Sequence, residues 1–174
     1  VNDTHGHDVG DRVLTFVGRL LAEHVGRRGI VARHGGEEFV LLFEGITALD
    51  VVGPYEVLSR LPGAEVVFAG PEVGLVRTDN RVLGMQVDAA LADVEHADVL
   101  LVPGGYGVDA LIASPEVLGE LQRLDAGARF TTSVCTGALV LGAAGLLRGV
   151  EATTHWAYFD ALASYGATPL SERV

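Results

Sequence analysis

The sequence has no lysine and one cysteine among its 174 residues, and its net charge is −11. A lone cysteine excludes an internal disulfide and is typical of a reducing compartment, so we expect a cytoplasmic location. The missing lysine and the acidic balance argue against nucleic acid or an anionic membrane as a partner. No apolar run approaches the roughly 20 residues of a membrane span, and no signal peptide opens the chain.

The chain begins with valine rather than methionine, which predicts that it is a piece of a longer protein. Its length favours one domain with a sizeable core. Two segments nevertheless differ in character, and they meet near Phe39.

The single cysteine lies between two apolar segments of different type. Residues 130–134 are aromatic and β-branched, which predicts a short buried strand, and residues 136–147 are small and apolar, which predicts a buried helix. Cys135 then occupies a tight turn near a helix N-terminus, and we expect the pKa of its thiol to fall below its free value of about 8.5. This layout is that of a nucleophile elbow; the alternative from local sequence is a buried structural cysteine.

Strand-like and helix-like segments alternate from about Phe39 onward, which predicts a parallel sheet with helices on both faces. One predicted helix carries the pair Gly53 and Pro54 near its first turn, and another has Ser114 as its N-cap. The predicted strands are 39–43, 65–70, 97–105 and 130–134, with pieces of a β-ribbon or a loop around 78–81 and a strand end and helix after residue 151.

Ligands of parallel sheets bind beyond the carboxyl ends of the strands. Cys135, Asp50 and the pair Gly104 and Gly105 each follow such an end. We therefore expect the thiol and the carboxyl group to share one small pocket, where the bare N–H groups of the two glycines would hold a developing negative charge. For Asp50 the structural alternative is a helix N-cap, which is compatible with a catalytic role.

Four motifs in this part of the chain carry a family resemblance: LDVVGPYEVL, LLVPGGYGVDAL, SVCTGALVLGAAGLLRG and ATTHWAY. They resemble the ThiJ/PfpI superfamily, and within it the isonitrile hydratases; a similar domain also occurs in AraC-type transcription regulators. The resemblance implies a flavodoxin-like (class I glutamine amidotransferase-like) α/β fold. It also implies a lyase that hydrates isocyanides to N-substituted formamides without a metal or organic cofactor.

The resemblance further implies roles for individual residues. Cys135 would attack the isocyanide carbon and form a thioimidate, while Asp50 would move protons and orient water. Thr136 would tune the thiol by hydrogen bonding, and Gly105 would line the pocket.

Three aromatic residues follow in the ATTHWAY motif. His155 is a candidate base partner for the cysteine, and the alternative is a ring packed at a strand end. We interpret Trp156 and Tyr158 as core or dimer contacts. The expected partners are a small isocyanide-like molecule and, as one assembly, a second copy of the chain.

Residues 1–43 carry a second pattern. The segment VNDTHGHDVGDRVL predicts turns followed by a helix, and residues 29–33 and 37–43 predict two strands of a hairpin. These segments resemble the GGDEF family of diguanylate cyclases, here with the variant GGEEF. The resemblance implies guanine contacts from Asn2 and Asp11, phosphate contacts at Gly35 and Gly36, and a Mg²⁺ ligand in Glu37.

The family's other metal-binding Asp would precede Val1, so we expect no metal site and interpret this segment as a scaffold remnant. The predicted division is a GGDEF-like fragment, 1–38, and a ThiJ/PfpI-like domain, 39–174, that shares strand 39–43 and lacks its C-terminal part. Three functions stay open: a hydratase, a ligand-sensing domain with an inert or redox-sensing cysteine, and a GTP-binding remnant.

Overall fold

A parallel sheet of five strands forms the centre of the computed structural model, which describes residues 36–171. Every neighbouring pair in this sheet is parallel, as the alternating pattern predicts. The strand order is β5–β2–β1–β6–β7, with β1 at Gly36–Leu41, β2 at Ala64–Gly70, β5 at Ala89–Ala90, β6 at Val99–Val102 and β7 at Phe130–Ser133.

Helices make several of the connections between the strands. The helices are α1 at Ala48–Leu58, α2 at Val108–Ile112, α3 at Pro115–Asp125, α4 at Gly137–Ala143 and α5 at Phe159–Ser164, with 3₁₀ turns at Leu91–Asp93 and Trp156–Tyr158. An antiparallel ribbon joins β3 (Gly74–Arg77) to β4 (Gly84–Val87), as predicted, and a short parallel pair joins β8 (Glu151–Ala152) to β9 (Thr168–Pro169).

Helix α3 shows how closely local signals can predict an element. The Ser114 hydroxyl oxygen accepts a hydrogen bond from the N–H of Val117 at 3.4 Å, and Pro115 opens the helix. In helix α1, by contrast, the local signal gave a wrong position for a proline. Pro54 is not in the first turn but inside this 11-residue helix, where its missing N–H leaves the carbonyl of Asp50 without the usual i→i−4 partner.

Strand β1 lies in the core of the molecule. Val40 and Leu41 are fully buried, and the apolar run continues without exposure through Phe43. A strand with helices on both faces has no solvated side, which explains why FVLLF is apolar at every position instead of alternating.

Strand β1 also overturns the predicted GGEEF hairpin. Over Glu38–Val40 it pairs in parallel with β2 on one side and with β6 on the other. A strand has two hydrogen-bonding sides, so no antiparallel partner can pair with this stretch. The other predicted strand, 29–33, lies outside the described residues, as do Asn2, Asp11 and Gly35. The division at residues 38 and 39 stays a prediction.

Among the helices that the structure describes, none combines the length and hydropathy needed to cross a bilayer.

Candidate thiol site

Cys135 occupies the turn between β7 and α4 in a left-handed backbone conformation, with φ of 54°. For a residue with a side chain this conformation is strained by about 1–3 kcal/mol, so the surroundings must hold it in place. The N–H of Val134 donates to the carbonyl of Val102 at 3.0 Å, and the Thr154 hydroxyl donates to the carbonyl of Cys135 at 3.0 Å. The predicted tight turn is confirmed.

Glycine at position 137 lets α4 approach the sheet. A Cβ at Gly137 would overlap the carbonyl oxygen of Val102, at the carboxyl end of β6. The first turn of α4 therefore lies directly against the strand that leads to Gly104, which brings the cysteine turn and the glycine loop together.

The Asp50 side chain reaches this turn from α1. Its Oδ2 accepts a hydrogen bond from the N–H of Gly104 at 3.2 Å, and its charge acts on the Cys135 thiol. Partial burial raises the pKa of Asp50 above its ordinary value, against the lowering effects of Gly104 and Cys135. The predicted neighbourhood of thiol and carboxyl is thus present in the structure.

The predicted lowering of the Cys135 pKa is wrong. Burial, and then the charge of Asp50, raise the pKa of the thiol, and they outweigh the lowering contribution of the Thr136 N–H. The negative charge of the Asp50 carboxylate stabilises the protonated thiol, and the seven-residue helix α4 does not offset it. The thiol and the carboxyl group therefore influence each other's protonation.

The expectation of bare N–H groups in the glycine loop is also wrong. The N–H of Gly104 is taken by Asp50, and the N–H of Gly105 donates to the Thr136 hydroxyl oxygen at 3.1 Å. These glycines serve close packing instead. A Cβ at Gly104 would lie 2.7 Å from the Thr136 nitrogen and 2.9 Å from the Asp50 Oδ2, and Gly105 has a φ of 146°.

Thr136 is 7% exposed and follows the cysteine directly. Its hydroxyl oxygen accepts a hydrogen bond from the N–H of Gly105. The backbone and the side chain of Thr136 both lower the pKa of the Cys135 thiol, which is the direction that the predicted tuning role requires.

His155 precedes the 3₁₀ turn, and its Nδ1 accepts a hydrogen bond from the N–H of Ala157 at 3.3 Å. It lies near enough to lower the pKa of Asp50, yet it is not among the groups that shift the thiol. Of the two predicted roles for Trp156 and Tyr158, a core position is wrong, since their exposed fractions are 77% and 40%, and a dimer contact stays a prediction. Both rings flank the imidazole, with centroids 5.3 Å and 5.8 Å away.

The sequence interpretation missed two residues that act on the thiol site. Thr154 holds the cysteine carbonyl, and its place in the ATTHWAY motif beside His155 was the available signal. Asp79 lies on the β3–β4 turn and affects the pKa of Asp50. It had no local signal, because turn-forming Asp residues are common.

The remaining predicted residues lie away from the thiol. Gly36 and Glu37 open β1 at the amino end of the sheet, with Glu37 exposed. Within residues 36–171 no three His, Cys, Asp or Glu side chains form a group that could hold a metal ion. A surface cavity of about 300 Å³ is lined by Gly142, Ala143, Arg148, Ser164, Tyr165 and Gly166, none of which is a predicted site residue.

A thiol on a strained strand-to-helix turn at the carboxyl edge of a parallel sheet defines a flavodoxin-like α/β protein with a cysteine elbow. The sequence matches the DJ-1/PfpI family over residues 39–174, and the chain belongs to that family. It also matches the diguanylate cyclase GGDEF domain over residues 1–73.

Similarity to individual proteins agrees with these two family matches. The chain is 45% identical over 134 residues to an isonitrile hydratase of Pseudomonas putida, with 77% of this chain and 58% of that protein covered. It is 42% identical over 50 residues to a probable diguanylate cyclase of Escherichia coli strain K12, with 29% of this chain and 11% of that protein covered. The crystal structure of a ThiJ/PfpI family protein from Pseudomonas syringae superposes with a TM-score of 0.78 at 34% identity, covering 87% of this chain and 62% of that one. The chain thus spans about three fifths of these two Pseudomonas proteins.

Proposed function

We propose that this chain is an isonitrile hydratase-like lyase that uses Cys135 to hydrate an isocyanide, R–NC, to the formamide R–NH–CHO. The observation that carries the proposal is the position of the Asp50 carboxyl, which is held by the N–H of Gly104 and acts on a thiol on a left-handed turn. The identity of 45% to an isonitrile hydratase supports the same reaction class.

In the first step the Asp50 carboxylate takes the thiol proton while the sulfur of Cys135 attacks the terminal isocyanide carbon. The S–H bond breaks, a C–S bond forms, and Asp50 returns the proton to the same carbon. The product is the thioimidate R–N=CH–S–Cys135. The raised pKa of Asp50 favours this role, because it makes the carboxylate a stronger base near neutral pH.

In the second step Asp50 removes a proton from a water molecule as the water oxygen attacks the thioimidate carbon. The nitrogen takes up that proton, the C–S bond breaks, and the remaining proton of the water returns to the sulfur. The sum is R–NC plus H₂O giving R–NH–CHO, with no external oxidant or reductant. Thr136, whose backbone and side chain lower the pKa of the thiol, stabilises the departing thiolate.

A second candidate is a ligand-sensing domain with an unreactive cysteine. The observation that favours it is the raised pKa of the Cys135 thiol, since a protonated thiol is a poor nucleophile at neutral pH. The two candidates differ in turnover, because a sensor binds the small molecule without converting it.

Incubation with p-nitrophenyl isocyanide, followed by chromatography of the formamide, tests the proposal. We expect wild-type turnover and a loss of at least about 1,000-fold in Cys135→Ala, since removal of a covalent nucleophile costs that much or more. Asp88→Asn is the matched control, because it changes an exposed residue that directly follows β4, and it should retain wild-type rates. A folded wild-type chain without turnover supports the sensor instead.

A further inference from the structure

The turn between β3 and β4 is fastened to the loop that precedes α1. The N–H of Gly45 donates to the carbonyl of Arg77 at 2.8 Å, and the N–H of Asp79 donates to the carbonyl of Ile46 at 2.9 Å. Ile46 also forms isolated bridges with Thr78 and with Gly105. The ribbon turn, the α1 loop and the glycine loop therefore meet at the same edge of the sheet as the thiol.

The side chain of Asp79 completes this junction. Its Oδ2 accepts a hydrogen bond from the Thr47 hydroxyl at 3.1 Å, and its Oδ1 accepts one from the N–H of Asn80 at 2.7 Å. Thr47 in turn donates its N–H to the carbonyl of Gly104 at 2.9 Å, and its own carbonyl accepts the N–H of Asp50 at 3.1 Å.

Thr47 is in the N-cap position of α1, but its hydroxyl does not cap the helix. A Thr at this position commonly accepts a hydrogen bond from the second or third N–H of the helix, which stabilises by about 1 kcal/mol. Here the hydroxyl is a donor to Asp79 instead. The start of α1 therefore lacks the usual side-chain cap, and the Thr47 hydroxyl connects it to the ribbon turn instead.

We propose that Asp79 is a positioning residue of the thiol site, which holds Thr47 and thereby keeps the first turn of α1, with the Asp50 carboxyl, against Cys135. The inference deepens the proposed function and rests on it for its catalytic meaning. The geometry it describes, however, can be measured on the thiol without any turnover.

The charged groups that face Asp50 come from three elements. They are the Cys135 thiol from the β7–α4 turn, His155 from the segment before the 3₁₀ turn, and Asp79 from the ribbon turn. The Asp79 charge raises the pKa of Asp50, while the pKa of the thiol responds to burial, Asp50 and Thr136. Asp79 is not among the groups that shift the pKa of the thiol, so we expect any effect of Asp79 on the thiol to pass through Asp50.

The test is the rate of Cys135 alkylation by iodoacetamide as a function of pH. Asp79→Ala and Thr47→Val should each move the midpoint of the rate–pH curve to lower pH, because a displaced Asp50 no longer raises the pKa of the thiol. The two changes combined should move it no further than either alone. Asp79→Asn retains an oxygen for the Thr47 hydroxyl and should lie between wild type and Asp79→Ala, and Asp88→Asn should match wild type.

Epistasis with Asp50 decides the result. In an Asp50→Asn background, Asp79→Ala should leave the midpoint unchanged. A further shift in that background, additive shifts for Asp79 and Thr47, or a wild-type curve for Thr47→Val would overturn the proposal. If Asp79→Ala does not fold, Asp79→Asn and Thr47→Val carry the same comparison. Alkylation that follows these expectations without any isocyanide turnover would leave the positioning role in place and reject the hydratase.

Discussion

Two carboxyl groups with raised pKa values lie at opposite ends of strand β1 and its loop, and only one of them belongs to a site. Glu38, at the amino end of the sheet, is 6% exposed, and Asp50, beyond the carboxyl end, is partly buried. For both, burial is the largest cause of the raised pKa. Each accepts one backbone N–H, Glu38 from Glu65 at 3.1 Å and Asp50 from Gly104 at 3.2 Å.

The two groups differ in what they face. Glu38 is close to a second acid, Asp98, whose charge further raises its pKa. Asp50 faces the thiol of the one cysteine in the chain. A perturbed pKa therefore marks burial at both ends of the sheet, and the thiol on a strained turn is what distinguishes a candidate site from a buried acid.

The largest contrast is expected in catalysis. Asp50→Asn should lower the rate of isocyanide hydration by about 100- to 10,000-fold, the range for loss of a general acid–base group. Glu38→Gln should stay within about twofold of wild type, because the glutamate lies at the other end of the sheet from the sulfur. Steady-state rates of formamide production measure both, and an equal loss in the two variants would abolish the distinction.

Close packing around Asp50 gives the next effect. Gly104→Ala places a methyl group 2.7 Å from Thr136 and 2.9 Å from the Asp50 carboxyl, which we expect to cost about 1–3 kcal/mol of stability and most of the activity. Gly119→Ala, in α3 with nothing within 4 Å of the added carbon, is the control and should be neutral or stabilising. Urea unfolding followed by circular dichroism compares them; a tolerated Gly104→Ala would contradict the packing described above.

The coupling of acid and thiol should be visible in alkylation. The wild-type midpoint of iodoacetamide reactivity is expected above the ordinary thiol pKa of about 8.5, because burial and Asp50 disfavour the thiolate. In Asp50→Asn the midpoint should move to lower pH, since the carboxylate charge that raises the pKa of the thiol is gone. A midpoint that moves upward, or does not move, would show that the two groups are uncoupled.

The smallest expected effect is the change in melting temperature with pH when Glu38 is replaced. An acid whose pKa is higher in the folded protein stabilises the fold at low pH. That stabilisation is fully present below the unfolded pKa, about 4.3 for Glu, and is lost as pH rises through the folded value. Glu38→Gln should therefore melt at or above the wild-type temperature at pH 7 and lose this advantage near pH 4. Scanning calorimetry at the two pH values measures it, and a lower melting temperature at pH 7 would be the contrary result.

Local patterns predicted most of the elements and brought Asp50 and Cys135 to the same edge of the sheet. The apolar run at β1, the capped helix α3 and the strand–cysteine–helix order were all predicted from spacing and composition. The predicted burial of strand 130–134 is wrong, because β7 is an edge strand of the sheet and Phe130 is 42% exposed. Residue spacing gave a wrong prediction where one segment fits two structural patterns. The GGEEF stretch fits a hairpin by its local residues, but β2 and β6 take both of its sides in the sheet.

Long-range contacts explain why the other predictions about the site failed. The N–H groups of Gly104 and Gly105 have their acceptors 54 and 31 residues away, and the Thr47 hydroxyl has its acceptor 32 residues away. The direction of the Cys135 pKa likewise depends on a carboxylate from a different helix. No window of local sequence contains these partners.

The sequence by itself determined a parallel α/β fold, a cysteine on a tight turn and an acid at the same edge of the sheet, because periodicity and glycine placement are local properties of the chain. The tertiary structure alone decided the protonation balance of that pair, the occupation of the glycine-loop N–H groups and the connection from Asp79 to Asp50. Those features depend on distance and burial, which arise only when segments far apart in the chain pack together.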